Sequence, residues 1–299
     1  MATRGVQSRE AVGIGRTAVS AGARHEGFLR YRHGFWGKFA LLLSLVLIVA
    51  YLLIDVEPRP NGGSWYGYTL GTAGVLLILW LTMLGVRKRA MTPGKWSLKA
   101  WTSAHVYLGL SLIVIATLHT GFQLGWNVHT LAWALMMLVI VSGIFGISSY
   151  AILPRSLSDN RDEATERQML EAVADIDRQL FDAAQPLDAA FAAEIREALD
   201  EDAFGAGVMR RLTGKYRGGA TKRALTEIRS HSHRGDHSLD DLFDKLEALL
   251  ARRQAALSRI RQHLRFKALL QVWLYIHVPL TFALLAALSA HIVSVFFYW

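Results

Sequence analysis

Long stretches of this chain carry no Asp, Glu, Lys or Arg, and this constrains the fold more than any motif does. No charge lies between Lys38 and Asp55, between Arg59 and Arg87, or after Lys267. Lys99 and Arg155 enclose 55 uncharged residues, room for two membrane spans and a turn. A spanning helix needs about 20 mostly apolar residues, because only a helix satisfies its own backbone in hydrocarbon. Five spans are therefore expected, at 36–55, 67–86, 102–123, 130–150 and 269–297. The fold class that follows is all-α, a polytopic membrane helical bundle with five transmembrane helices.

The basic residues orient it. Residues 1–38 hold seven basic and two acidic side chains, and 87–99 (RKRAMTPGKWSLK) hold five basic and none acidic. The short connection 56–66 and the turn near 125–127 share one basic residue, Arg59. Segment 151–266 is balanced, with 19 basic against 20 acidic residues. By the positive-inside rule the N-terminus and the 151–266 insert are cytoplasmic, and five spans put the C-terminus outside. The expected location is the cell (inner) membrane, multi-pass and in contact with lipid. The net charge of +9 is topology signal and does not mark a nucleic-acid binder.

Four regions follow: a basic tail over 1–35, helices one to four over 36–150, a mostly helical insert over 151–266, and helix five over 267–299. The tail is too long and polar for a signal peptide and no cleavage site follows the first apolar run, so span one reads as a retained anchor. In the insert, Leu170, Val173, Ile176 and Leu180 form a stripe at helical spacing, broken at Pro186. A glycine-rich basic stretch covers 205–220. An amphipathic helix is then expected from Leu239, through Leu242, Leu246, Leu249 and Leu250, straight into span five. Cysteine is absent, which excludes disulfides, Cys-ligated iron–sulfur clusters and C-x-x-C-H haem attachment within the chain.

Span three, WTSAHVYLGLSLIVIATLHTGFQ, contains His105 and His119, fourteen residues apart. Span five contains His277 and His291 at the same interval. Fourteen residues advance a helix by about 21 Å and return to within about 40° of the starting face. Ionisable groups inside a membrane are costly and mark function by default. Spans three and five run parallel, so His105 and His277 lie towards the cytoplasm and His119 and His291 towards the outside. Two pairs of imidazoles at two depths suit two stacked haem b groups. Bis-imidazole ligation favours electron transfer over dioxygen chemistry. Gly109, Ala116, Gly121, Ala283, Ala287 and Ala290 would leave room for the macrocycles. Arg87, Lys88, Arg89 and Lys99 could meet propionates, and each second ring nitrogen would seek an acceptor such as its own i−4 carbonyl.

This pattern resembles the membrane di-haem cytochrome b group. It is closest in layout to ferric reductase-like transmembrane domains, whose ligands sit on the third and fifth spans as His105, His119, His277 and His291 do. SGIFGISSYAILPR (142–155) is similar to the ending of a span in cytochrome b-like subunits that work beside multihaem or iron–sulfur carriers. The chain departs from the pattern in having five spans, an atypical insert and no flavin domain after Trp299. The resemblance thus implies an electron-transfer subunit of an oxidoreductase complex rather than a self-sufficient enzyme. Its partners would be a flavoprotein, an iron–sulfur protein or a multihaem cytochrome, with quinone a further candidate. Two rivals stand beside it: the transmembrane half of a ferric reductase or oxidase with a separate flavoprotein, and a non-redox scaffold whose histidines merely pack.

Other features read more simply. His129 sits at the outer turn, where solvation competes with a role near a quinone or propionate. HSHRGDH (231–237) reads as a solvated loop, and TGKYRGG lacks the residues of a phosphate-binding loop. Trp101, Trp126, Trp133 and Trp299 form an aromatic belt.

Overall fold

The computed structural model describes residues 27–55, 61–89, 97–152, 162–202, 205, 207–214, 216, 219–232 and 240–297. Among these the structure is all helix, with no strand. Five helices are long and apolar enough to cross a membrane, at the five places expected. Residues 1–26 of the basic tail, the Pro154–Arg155 end of the SGIFG segment and the side chains of the HSHRGDH run lie outside the described residues, while Phe28–Gly34 at the end of the tail form a 3-10 helix leading into the first span.

The chain divides into two compact units, 1–121 and 122–299. The first holds α1 (Phe35–Leu53), α2 (Trp65–Arg89) and α3 (Leu98–Thr120). Ser97 caps α3, its hydroxyl accepting the Ala100 amide at 3.2 Å. Gly121 ends α3 with φ +57°, a left-handed conformation that glycine adopts without steric cost. Gly121 thus stops the helix. α3 is the inner member of this unit and packs on both α1 and α2. Its apolar window is 39% buried, against 6% and 17% for the other two. Gly71 and Gly74 line the α2 side of the contact, facing His119 and Ile115, whereas Gly67 makes room for the Asn61–Gly62 turn. Stripes of small residues let helices approach where hydrocarbon gives no hydrophobic drive to do so. The Tyr66 hydroxyl donates to Leu47 O at 3.2 Å, joining α2 to α1.

The second unit contains α4 (Val128–Ile152), α5 (Asp162–Ala184), α6 (Ala189–Leu199), α7 (Val208–Thr213), α8 (Ala220–Ser232) and α9 (Asp240–Phe297). α9 runs unbroken for 58 residues, about 87 Å, so the amphipathic helix does continue into span five. Asp240 and Asp241 complement the dipole at its start. Its first part organises the insert. Leu246, Leu249 and Leu250 are buried with Ile176 and Leu180 of α5, Ile195 of α6, and Leu225 and Ile228 of α8. The α5 stripe differs from expectation at one end. Leu170 is 45% exposed, whereas Met169 and Val173 pack against Leu257, Ile260 and Leu264. Positions 169, 173, 176 and 180 keep to one helical face, and 170 falls about 100° off it.

A polar clasp pins the same helices. Arg253 on α9 is 1% exposed, and its guanidinium donates to Asp177 Oδ1 at 2.7 Å, Thr221 Oγ1 at 2.6 Å and Leu199 O at 3.1 Å. Thr221 donates its amide and hydroxyl to Glu201, which also pairs with Arg261. A buried charge is tolerated when paired and saturated with hydrogen bonds in this way.

Candidate functional site

In the first unit, His105 and His119 are half-buried on α3, and each turns Nδ1 towards a carbonyl of α2. His105 Nδ1 lies 3.0 Å from Leu81 O, and His119 Nδ1 lies 2.7 Å from Gly67 O. The acceptors, Gly67 and Leu81, are themselves fourteen residues apart. α2 therefore repeats in its backbone the interval that α3 carries in its side chains. A carbonyl oxygen can only accept, so Nδ1 holds the proton in both rings and Nε2 is the lone-pair nitrogen of the neutral imidazole.

Space for His119 depends on glycine. A Cβ on Gly71 would stand 2.7 Å from His119 Cε1 and 3.0 Å from its Nδ1, and one on Gly62 would stand 3.6 Å from Cε1. Trp80 of α2 and Trp101 of α3 stack with centroids 4.6 Å apart near the other end.

In the second unit α4 plays the part that α2 plays in the first. His277 Nδ1 is 2.7 Å from Ser142 Oγ. The single hydroxyl proton of Ser142 is given to Val139 O at 2.8 Å, so Oγ accepts from Nδ1–H, and Nε2 again holds the lone pair. Trp273 donates its indole N–H to Ser142 O at 2.7 Å, and its ring lies 5.3 Å from the His277 ring at 34°. Gly146 admits that indole, since any side chain there would overlap it, and a Cβ on Gly143 would meet His277 Cε1 at 3.7 Å. His291 faces His129, the two Nδ1 atoms hydrogen-bonded and the rings edge to face at 4.6 Å.

The acceptors expected from each histidine's own helix are thus supplied by the neighbouring span. Helix carbonyls are already directed along the axis into the i+4 amide, whereas a ring leaving the helix sideways reaches the next helix. Ser142, Trp273, Gly67, Gly71 and Gly146 were not expected to contribute. The glycine spacing in GYTLGTAG and the serine opening SGIFG were their signals. His129, which could be read as merely solvated, is the partner of a candidate ligand.

One further imidazole keeps the register. His263 precedes His277 by fourteen residues on the same helix, is 4% exposed, and has no hydrogen-bond partner on either ring nitrogen among the described residues. Among the described residues no cluster of three or more His, Asp or Glu side chains is arranged to hold a metal ion. No protein-family model matches the chain, and neither does any curated protein or solved structure.

Proposed function

We propose that the chain is a di-haem b-type cytochrome subunit that moves electrons across a membrane. The observation that carries this reading is the doubled fourteen-residue histidine interval, with the Nδ1 partners on α2 repeating that interval and those on α4 repeating it to within one residue. Scattered packing histidines have no reason to share it. His105 and His277 would hold one haem towards the cytoplasm, and His119 and His291 would hold the other towards the outside. This pairing rests on the parallel direction of spans three and five. Haem b, when bound, would supply a one-electron couple, and ligation by two imidazoles would favour electron transfer over dioxygen chemistry.

The chain's own residues set the ligand field. Gly67 O, Leu81 O and Ser142 Oγ each accept an Nδ1–H, which fixes the ring plane, keeps Nε2 basic and raises its donor strength. Gly71 and Gly146 let the His119 ring and Trp273 seat closely. Arg87, Lys88 and Arg89 at the end of α2, and Lys99 at the start of α3, suit carboxylate propionates. The donor is a cytoplasmic or quinone-pool partner and the acceptor an outer-side partner, or the reverse.

The reduced-minus-oxidised spectrum of the purified chain, with a pyridine haemochrome assay, tests the reading. Two haems per chain and a b-type α band are expected, and His277→Ala should lose one haem while keeping the other. Absence of haem would return the chain to the scaffold class, and retention of both haems in His277→Ala would overturn the ligand assignment.

A further inference from the structure

We infer that α7 is an interfacial anchor that binds the anionic phospholipid surface of the bilayer that α9 enters. The inference rests on α9 entering hydrocarbon after Lys267 and is independent of any cofactor. α7 is a single short helix, VMRRLT, packed against α9. Two of its three apolar residues point away from the protein, Val208 being 63% exposed and Met209 73%, while Leu212 is half-buried. Arg210 beside them is exposed as well. In a water-facing loop such an apolar pair would be left without a partner, yet its height along α9 supplies one.

Two contacts set that height, and Lys267 marks where the charged part of α9 ends. Gly214, which ends α7 with φ +65°, lies against Arg265, whose Cδ would be 3.3 Å from a Cβ at position 214. The next described residue, Tyr216, sits under the Arg261 guanidinium at 4.6 Å. Lys267, the last charge before the apolar run, is 3.3 Å from Glu166 on α5. Arg265 precedes Lys267 by two residues, about 3 Å of helix rise. α7 is therefore moored at the level where α9 changes from charged to apolar.

The charge of the segment matches that position. Residues 203–226 include Arg210, Arg211, Lys215, Arg217, Lys222 and Arg223 and no acidic residue. Arg223 is engaged by Glu197, and on α7 itself Arg210 is the exposed arginine. Apolar side chains next to arginine on a short helix are the composition of an interfacial element: the aliphatic groups enter the acyl boundary and the guanidinium meets phosphate. Each basic residue near an anionic surface contributes about fivefold in partitioning.

The chain has no cysteine, so Met209→Cys carries a single environment-sensitive fluorophore. The full-length protein is reconstituted in phosphatidylcholine vesicles with and without phosphatidylglycerol, each containing brominated acyl chains. Glu194→Cys, exposed on α6, is the control. The probe at 209 should be quenched, and more strongly with phosphatidylglycerol, while the probe at 194 stays unquenched. Adding Arg210→Gln should remove about fivefold of the anionic preference. A probe at 209 that is unquenched in both vesicles overturns the inference, as does quenching that ignores both phosphatidylglycerol and Arg210→Gln. A probe shielded in native membranes but unquenched in either vesicle would assign the surface to a protein partner and overturn the lipid reading.

Discussion

Gly71→Ala isolates the seat of His119. In an ordinary helix interior this change is favourable by about 1 kcal/mol, because alanine loses less backbone entropy. Here the new methyl would stand 2.7 Å from Cε1, 3.0 Å from Nδ1 and 3.3 Å from Nε2 of His119. All three are atoms of one rigid ring, so no flexible tip can yield. Relief to an ordinary carbon contact of about 3.6 Å requires either the ring or the helix pair to shift by roughly 1 Å. A shift of that size stretches the 2.7 Å hydrogen bond to Gly67 O beyond hydrogen-bonding range. Overpacking costs about 1–3 kcal/mol and the lost hydrogen bond about 1 kcal/mol. Offset by the propensity gain, the net is a destabilisation of about 1–3 kcal/mol, up to roughly a hundredfold in an equilibrium constant. Gly85→Ala on the same helix is the control, since nothing lies within 4 Å of a Cβ there. The two variants are compared by thermal unfolding in detergent and by haem content. Gly71→Ala should unfold earlier and lose the haem assigned to His119 and His291, and Gly85→Ala should match or exceed the parent. Equal melting temperature and equal haem content in the two variants would refute the steric argument.

Ser142→Ala removes the acceptor of His277 Nδ1–H, and outer-shell losses of this kind weaken metal binding by about 10–100-fold. Haem transfer to an excess of apo-acceptor should speed up accordingly, with Ser142→Thr keeping much of the retention; unchanged transfer in the alanine variant would refute the role. His263→Leu should raise the melting temperature, because it removes two buried nitrogens that lack hydrogen bonds, each worth about 1–3 kcal/mol; a lower melting temperature would show that His263 has a partner of its own. Burial pushes the Glu201 carboxyl up, but its hydrogen bonds from Thr221 and the Arg261 pair outweigh this and hold it below the usual carboxylate range. Its stabilisation is therefore complete above the ordinary value and is lost as pH falls through the depressed folded value. Chemical denaturation from neutral pH into the acid range should show the parent losing stability more steeply than Glu201→Gln, and parallel curves would refute the linkage.

The five spans were legible in the sequence because hydrophobic length is a one-dimensional property. The run bounded by Lys38 and Asp55 became Phe35–Leu53, and the run after Lys267 became the apolar end of a helix that begins at Asp240. The fourteen-residue histidine intervals were equally open to reading, since helical periodicity alone places both rings on one face. Lateral packing was not legible. Which helix lends Nδ1 its acceptor depends on neighbours and their rotation, and only the tertiary structure showed α2 carbonyls behind His105 and His119 and Ser142 behind His277. It likewise decided that Met169 rather than Leu170 joins the buried face, and that Gly121 ends α3. The Arg253 clasp was hidden for the same reason, because Asp177, Leu199, Thr221 and Arg253 meet across four segments far apart in the chain. Spacing along one helix is written in the order of residues, whereas contact between helices is settled by where small side chains let backbones meet.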